Sequence, residues 1–507
     1  MRTGVLRFIS GMNKQLSRRF FMATALGAIS TGAWAGAPPV SLRPVARPNG
    51  LNTLAAPQAE ALIDAANLGG EVDFAVMDVK TGVLLESRAA PAGLPPASVT
   101  KALTALYALD SLGAGYRFAT RLVATGPLEN GVLKGDLVLA GGGDPTLDTN
   151  ALAQMASDLK DAGVRDVRGA FKVWGGALPY ERVIDPTQPE HVGYNPSVSG
   201  LNLNFNRVHF EWKRGGNGYS FSMDARSDRY RPAVTVARMA IAGRDAPVYT
   251  YRDGGDHDAW TVAQGALGSS GSRWLPVRKP EAYAAEVFAG FARAHGIALT
   301  LGSGLRNPPQ GRTLATHHSG PLRDILRDML KYSNNLTAEL VGLTATAARV
   351  GKAVSLTASA QEMSRWSRSV LGVQSAKLVD HSGLSDQSSL NAQAMARVLA
   401  RVHGDRQLQP ILKDIPLRDE AGRVNRGHPV KVAAKTGTLY FVSSLAGYMT
   451  TPDGTELAFA IFCANQGKRA AINRRAAGRP PGSASWNRRA KGLQQALIER
   501  WGLVYGV

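Results

Sequence analysis

The stretch Pro95-Pro96-Ala97-Ser98-Val99-Thr100-Lys101, running straight into Ala102-Leu103-Thr104-Ala105-Leu106-Tyr107-Ala108-Leu109, constrains this chain more than any other. Two prolines favour an extended lead-in and a helix start, and the Ala and Leu residues continue a good helix. Ser98 then falls in the first turn and Lys101 three residues on, so hydroxyl and amine share one face within hydrogen-bond reach. A hydroxyl needs a base before it attacks a carbonyl, and a lysine whose charge is disfavoured by burial or by neighbouring cations supplies one. Alone, Ser-x-x-Lys is weak, because it recurs by chance in a chain this long and an ordinary surface turn explains it.

Two later stretches change the balance. Lys331-Tyr332-Ser333-Asn334-Asn335-Leu336-Thr337-Ala338-Glu339-Leu340 holds Ser-x-Asn at Ser333 and Asn335, and Val432-Ala433-Ala434-Lys435-Thr436-Gly437-Thr438-Leu439 holds Lys-Thr-Gly. The first also reads in another register, as Tyr-x-Asn through Tyr332 and Asn334. A one-residue shift turns a helix by about 100°, so only one reading can face a cleft.

Residues 1–35 read as an export signal. Arg2, Arg7, Lys14, Arg18 and Arg19 form a basic region without acids, Phe20 to Trp34 is mostly apolar or small, and Ala33-Trp34-Ala35 resembles a signal-peptidase site. Ser17-Arg18-Arg19-Phe20-Phe21 is similar to a twin-arginine motif, which predicts a bacterial protein exported already folded, cleaved near Ala35 and released into the periplasm. The single cysteine, Cys463, excludes an internal disulfide and lies in an apolar strand-like run, where a buried thiol is expected rather than a nucleophile. Stability must therefore come from the core, and 507 residues are enough to build one and to divide into about three domains.

The formal net charge is +20, yet the basic residues are dispersed and no nucleic-acid motif accompanies them. They thicken only from Lys468 to Arg500, where nine Lys or Arg face one Glu. Solvated surface is the plain reading; the sharper one is electrostatic association with an anionic envelope surface. His317-His318 and Asp256-His257-Asp258 lack metal-ligand companions and read as loop residues, so no metal is expected.

Along the chain, a helix is expected over Pro57 to Ala66 and a hairpin over Val72 to Val79 and Val83 to Ser87, turning at Lys80-Thr81-Gly82. Strands are expected over Val430 to Ala434, Phe441 to Met449 and Glu456 to Cys463, then an amphipathic helix from Arg488 to Trp501. These two ends complete one antiparallel sheet with helices on its faces, an α+β fold. About 230 residues separate Ser98 from Ser333, too many for a loop. Phe118 to Ala124, Val132 to Leu139, Leu201 to Phe205, His209 to Trp212, Val234 to Ala242 and Pro247 to Tyr251 read as strands of a mostly β insertion. Helical periodicity resumes at Glu281 to Gly296 and from Pro321 through Thr346.

In this order the three elements resemble those of penicillin-binding proteins and serine β-lactamases. Gly143-Asp144-Pro145-Thr146-Leu147, the run from Tyr194 to Asn206, Ser319 with Pro321-Leu322, and Asp380-His381-Ser382-Gly383-Leu384-Ser385 narrow the resemblance to the class C low-molecular-mass penicillin-binding proteins (peptidase family S13). That family of D-alanyl-D-alanine carboxypeptidases and endopeptidases implies a serine β-lactamase/transpeptidase-like domain at 36–114 and 305–507, split by inserted domains at 115–195 with 262–304 and at 196–261. It implies Ser98 as nucleophile on the penultimate D-alanine of a peptidoglycan stem peptide and Lys101 as its base. Through Leu336-Thr337-Ala338-Glu339, it implies the reading with Ser333 and Asn335. Ser333 relays a proton, Asn335 binds the substrate amide, and Lys435 holds positive charge near Ser333. Thr436, Gly437 and Thr438 bind substrate through the two Thr hydroxyls, and the Ser98 and Thr438 amides form an oxyanion hole. β-Lactam antibiotics are implied as covalent inhibitors, and no cofactor is implied. Two positions depart from the expected pattern: Asn334 replaces Asp, and His381 replaces Gly. A serine β-lactamase or related esterase is the alternative.

Overall fold

The computed structural model describes residues 56–90, 92–419, 421–472 and 478–506. The expected export signal at 1–35, the leader at 36–55 and the basic residues Arg474 and Arg475 lie outside the described residues.

Lys80-Thr81-Gly82 turns the chain between strands Glu71–Asp78 and Leu84–Arg88, and Asp78 Oδ1 accepts from the Thr81 amide at 2.6 Å. The first of these strands pairs antiparallel with Glu456–Ala464 from the far end of the sequence, Glu71 opposite Ala464 and Asp78 opposite Leu457. Val442–Thr450, Lys431–Leu439 and the short Lys413–Asp414 follow in order, making a six-stranded sheet whose pairings are all antiparallel. Leu457, Phe459, Ile461 and Cys463 pack on one face and Ala458, Ala460, Phe462 and Ala464 on the other, all buried. A strand covered on both sides keeps no polar face, which explains the unbroken apolar run. Burial of each large side chain contributes about 1.5–3 kcal/mol. Cys463 is buried there, and burial pushes its thiol up to about 12, away from nucleophile chemistry.

One face carries helix Thr100–Leu112, buried from Thr100 through Leu109, with Leu322–Tyr332, Asn335–Val350 and Leu356–Leu371 packed around it and Ala392–Val402 lying on the sheet against Glu71–Asp78 and Glu456–Ala464. The other carries the terminal helix Ser483–Tyr505, which buries Trp486, Leu493, Leu497 and Trp501. It starts before the expected Arg488 because Trp486 is itself an anchor: its indole N–H donates to the Leu68 carbonyl at 2.7 Å.

A separate core runs from Leu122 to Ala315. It joins a four-stranded sheet ordered Arg312–His318, Ala119–Ala124, Leu137–Ala140, Phe171–Trp174 to two three-stranded sheets, one around Arg207–Gly215 and one around Asp258–Ala263. The insertion is less purely β than expected. Helix Thr149–Asp161, capped by Asp148 and burying Leu152, Met155, Ala156 and Leu159, packs against helix Pro280–Ala294. Those spacings of three and four are a helical signal that the reading of strands alone leaves out. Leu201 to Phe205 is no strand: Asn204, Phe205 and Asn206 adopt positive φ in a 3-10 turn, which Asn tolerates and which its side chains stabilise, Asn206 Oδ1 accepting from the Leu203 amide at 3.1 Å. The expected strand Val132 to Leu139 divides into Val132–Leu133 and Leu137–Ala140 at Gly135, where a Cβ would lie 2.6 Å from the Gly126 nitrogen. Among the described residues no helix is long and apolar enough to cross a membrane.

Candidate active site

Ser98 sits on a 3-10 turn, Ala97–Val99, that winds directly into helix Thr100–Leu112. Ala97 and Val99 are buried, which leaves the Ser98 hydroxyl as the group turned to the cleft. Lys101 is fully buried one turn on, and its Nζ lies 3.0 Å from Ser98 Oγ, 2.7 Å from Asn335 Oδ1 and 2.7 Å from the Ser382 carbonyl. As an ammonium it matches three protons to three acceptors. As a neutral amine it keeps two donors for Asn335 and Ser382 and offers its lone pair to the Ser98 O–H. Burial lowers Lys101 from 10.5 to about 8, against the opposing pull of Glu339 and Asp380.

The single helix expected from Pro321 through Thr346 is two helices, Leu322–Tyr332 and Asn335–Val350. Ser333 ends the first in the left-handed region, with φ 58° and ψ 39°, and Asn334 caps the second by accepting from the Thr337 amide at 3.0 Å. This break decides the register. Tyr332 is 70% exposed and Asn334 is spent on the cap, while Ser333 and Asn335 enter the cleft. An Asp at 334 would cap equally well, so that departure leaves the site geometry intact. The Asn335 amide is held at both ends, its Nδ2 donating to the Tyr194 carbonyl at 2.9 Å.

Strand Lys431–Leu439 continues past the expected Ala434 and carries the third element along its edge. Buried Lys435 donates to Ser333 Oγ at 3.0 Å and to the Thr436 carbonyl at 2.7 Å. Burial, with the Lys101 and Lys413 charges adding to it, pushes Lys435 well below the ordinary lysine range. Thr436 and Thr438 are exposed on the cleft, and Gly437 between them lets the strand close on the Ser98 turn: a Cβ there would lie 3.0 Å from the Ser98 amide nitrogen. The paired strand Lys413–Asp414 covers only Ala433 and Ala434, so among the described residues the edge from Lys435 to Leu439 has no strand neighbour on the cleft side.

Three supporting groups have no role that sequence reasoning assigns. Glu339, buried on helix Asn335–Val350, accepts through Oε1 from the Ser382 amide at 3.0 Å and through Oε2 from the His381 amide at 3.0 Å and His381 Nδ1 at 2.9 Å. Burial would raise this carboxyl, but those hydrogen bonds and His381 hold it below its ordinary value. Asp380 binds the Gly383 and Ser385 amides at 2.6 and 2.8 Å; burial, then the Glu339 charge, raises it to about 7. Both therefore shape the loop that presents the Ser382 carbonyl to Lys101. The third is Tyr194, and all three lie in stretches that carry the family resemblance. His381 replaces the expected glycine by filling space that Gly342 leaves open: a Cβ on Gly342 would lie 2.1 Å from His381 Cδ2.

The His317-His318 and Asp256-His257-Asp258 stretches stay outside this cleft. Among the described residues, His209, Glu211 and Asp224 bring ligand atoms within 4.8 Å of one another, but Arg226 bridges both carboxylates, at 2.6 Å to Glu211 and 3.0 Å to Asp224. A guanidinium already supplies the countercharge a cation would bring.

The chain is 30% identical over 437 residues to a D-alanyl-D-alanine carboxypeptidase of an Actinomadura species, covering 79% of each chain. It is 26% identical over 426 residues to the D-alanyl-D-alanine carboxypeptidase DacB of Haemophilus influenzae, covering 78% of this chain and 85% of that one. The crystal structure of penicillin binding protein 4 (dacB) from Haemophilus influenzae shares the fold, with TM-score 0.71 at 20% identity over 87% of this chain and 99% of that chain. The sequence profile of the D-Ala-D-Ala carboxypeptidase 3 (S13) family matches residues 54–480, more than half of the chain, and the protein belongs to that family.

Proposed function

We propose that the protein is a serine-type D-alanyl-D-alanine carboxypeptidase and endopeptidase of peptidoglycan, working through an acyl-enzyme on Ser98. The observation that carries this is the position of one buried amine, Lys101 Nζ, in contact with both Ser98 Oγ and Asn335 Oδ1. Neutral Lys101 takes the Ser98 proton as Oγ attacks the carbonyl of the penultimate D-alanine, and the Ser98 and Thr438 amides hold the oxyanion. Ser333, bonded to Lys435, passes a proton to the leaving amine, while the Thr436 and Thr438 hydroxyls and Lys435 hold the terminal carboxylate. Asn335 presents its amide to the substrate and orients Lys101. Water then hydrolyses the ester. Penicillin acylates the same hydroxyl and leaves slowly.

In this reading the residues at 36–114 and 305–507 form the catalytic domain and those between form two inserted domains, with the separate core from Leu122 to Ile297 in support, although strand Arg312–His318, inside 305–507, pairs with Ala119–Ala124 and packs Ala315 on the same core. Residues 1–35 direct export to the periplasm, and the basic stretch near the C-terminus associates with the anionic envelope. Mass spectrometry after incubation with penicillin tests the central assignment. The wild type is expected to gain one adduct per molecule and Ser98→Ala none. An adduct of undiminished stoichiometry in folded Ser98→Ala would sink it, and rapid turnover of benzylpenicillin would point to a β-lactamase instead.

A further inference from the structure

The cleft that holds Ser98 is larger than a terminal dipeptide needs. Its volume is about 1230 Å³, against roughly 300–1,000 Å³ for pockets that hold drug-sized ligands. The extra space runs past Thr438. There Asn487 Nδ2 donates to the Leu439 carbonyl at 3.0 Å, and Gln495 clasps Arg418 by accepting from its amide at 3.1 Å and donating to its carbonyl at 2.7 Å. These bonds seat the first half of helix Ser483–Tyr505 beside the strand edge, so that Ala484, Arg488, Lys491 and Gln495, spaced four, three and four apart, line the same cleft.

The charge of that wall is one-sided. Lys413, Arg418, Arg479, Arg488 and Lys491 are exposed on it and form no ion pair among the described residues, and no Asp or Glu is among the described residues that line the cleft. Cations ranged along a concave surface select an anionic ligand and steer its approach. The edge from Lys435 to Leu439, which no strand covers among the described residues, meanwhile lies open to an extended peptide, with its Thr436 and Leu439 carbonyls already accepting from Lys435 and Asn487.

Resting on the reading of the reaction above, we infer that this basic wall is a subsite for a carboxylate-bearing peptide on the leaving-group side of the scissile bond. Thr436 and Thr438 face the residue that departs after Ser98 attacks, so whatever continues beyond that residue lies along the wall. A single terminal D-alanine stops at the Thr hydroxyls. The second stem peptide of a cross-link, whose amine is released with the proton from Ser333, continues onto Arg488 and Lys491 with its carboxylates. The wall thus favours cross-linked, acidic substrates over terminal-residue removal.

The full-length mature protein is assayed on three soluble substrates: a pentapeptide ending in D-alanyl-D-alanine, a cross-linked peptide dimer, and that dimer amidated at the carboxylates of its leaving strand other than the one on the residue that supplies the leaving amine. Wild type is expected to cleave the free-acid dimer with kcat/KM about fivefold or more above the amidated dimer, mainly through KM, and to lose this preference as salt rises. Arg488→Gln with Lys491→Gln should remove the preference while pentapeptide hydrolysis, which stops short of the wall, stays at the wild-type rate. Equal cleavage of the two dimers by wild type overturns the subsite, as does a proportional loss on all three substrates in the double variant. Equal cleavage of the two dimers that soluble polyphosphate inhibits to the same extent in wild type, and not in the double variant, assigns the wall to a non-peptide polyanion and also overturns it. Failure of wild type to hydrolyse the pentapeptide would instead reject the underlying reaction.

Discussion

Burial brings the proposed base, Lys101, closer to neutral pH. Burial takes it from 10.5 to about 8, which raises its neutral fraction near pH 7 by roughly 300-fold, because the ratio of neutral amine to ammonium at a fixed pH grows tenfold each time the pKa falls by one. The neutral amine is the deprotonated form, so acylation by penicillin should rise with pH and level off above about 8. Lys101→Arg keeps the charge but cannot shed its proton there; together with Lys101→Ala it should lose about 10²–10⁴ in acylation rate at every pH. A flat wild-type profile, or an active Lys101→Arg, would remove Lys101 from the role of base. Lys435 responds differently. Its own burial and the Lys101 and Lys413 cations drive it toward neutrality in the empty cleft, and a bound terminal carboxylate supplies the anion that restores its proton. Calorimetry of a D-alanyl-D-alanine peptide binding to Ser98→Ala, run in buffers of unlike ionisation enthalpy, should therefore show proton uptake on binding. The uptake should vanish in Ser98→Ala with Lys435→Gln; identical uptake in both proteins would refute this role.

At the scale of elements, helix Asn335–Val350 and the loop from Asp380 to Ser385 meet through a fitted pair. Gly342 in mid-helix is normally a liability of about 1 kcal/mol relative to Ala, but here a methyl would overlap His381. Gly342→Ala should destabilise by about 1–3 kcal/mol through overpacking. His381→Gly should also destabilise, because it strips a donor from buried Glu339 and a partner from Ser359 Oγ, which lies 3.0 Å from His381 Nε2. Combined, the two substitutions exchange a side chain across one contact, and denaturant unfolding should show the double variant more stable than the sum of the singles by about 1–2 kcal/mol. Strict additivity would mean that the two residues do not share the space. The same contact explains how His381 is tolerated at a position where the resemblance leads to an expectation of glycine: the helix yields the volume, and Glu339 and Ser359 satisfy both ring nitrogens.

For the whole molecule, the basic C-terminal stretch divides into charges that build the fold and charges that face solvent. Arg469 is paired with Asp386 at 2.6 Å, Arg500 with Glu86, and Arg489 donates to the Ala66 and Asn67 carbonyls at 3.2 and 3.3 Å, at the end of helix Ala59–Ala66. Arg488 and Lys491 stand exposed beside them. Exposed charges act on encounter and are screened over about 10 Å in 0.1 M salt. Replacing Arg474, Arg475, Arg488 and Arg489 by Gln should reduce sedimentation with cell-wall sacculi at low salt while hydrolysis of a small D-alanyl-D-alanine peptide is nearly unchanged. Thermal unfolding must accompany the assay, because Arg489 also ties two helices together. Wild-type sedimentation by the folded variant across a salt series would end the envelope role.

Local patterns determined much of this protein. The hairpin at Lys80-Thr81-Gly82, the apolar strand through Phe459 and Ile461, and the terminal helix are written in periods of two or in helical spacing, and Ser98 with Lys101, or Lys435 with Gly437, are neighbours within single elements. Helix Thr149–Asp161 carries the same kind of signal and is legible in principle. The rest was decided by packing between elements. The break at Ser333 is a left-handed residue that either neighbouring pattern would absorb into one helix, and it persists because Asn334 caps the second helix and Asn335 is held by Lys101 and Tyr194. The Ser382 carbonyl on Lys101, the fit of His381 against Gly342, and the meeting of the basic helix face with the strand edge join residues far apart in the chain. Side-chain periodicity records which face of an element is buried; it carries no information about which partner buries it, and the pKa of Lys101 and the extent of the cleft depend on that partner.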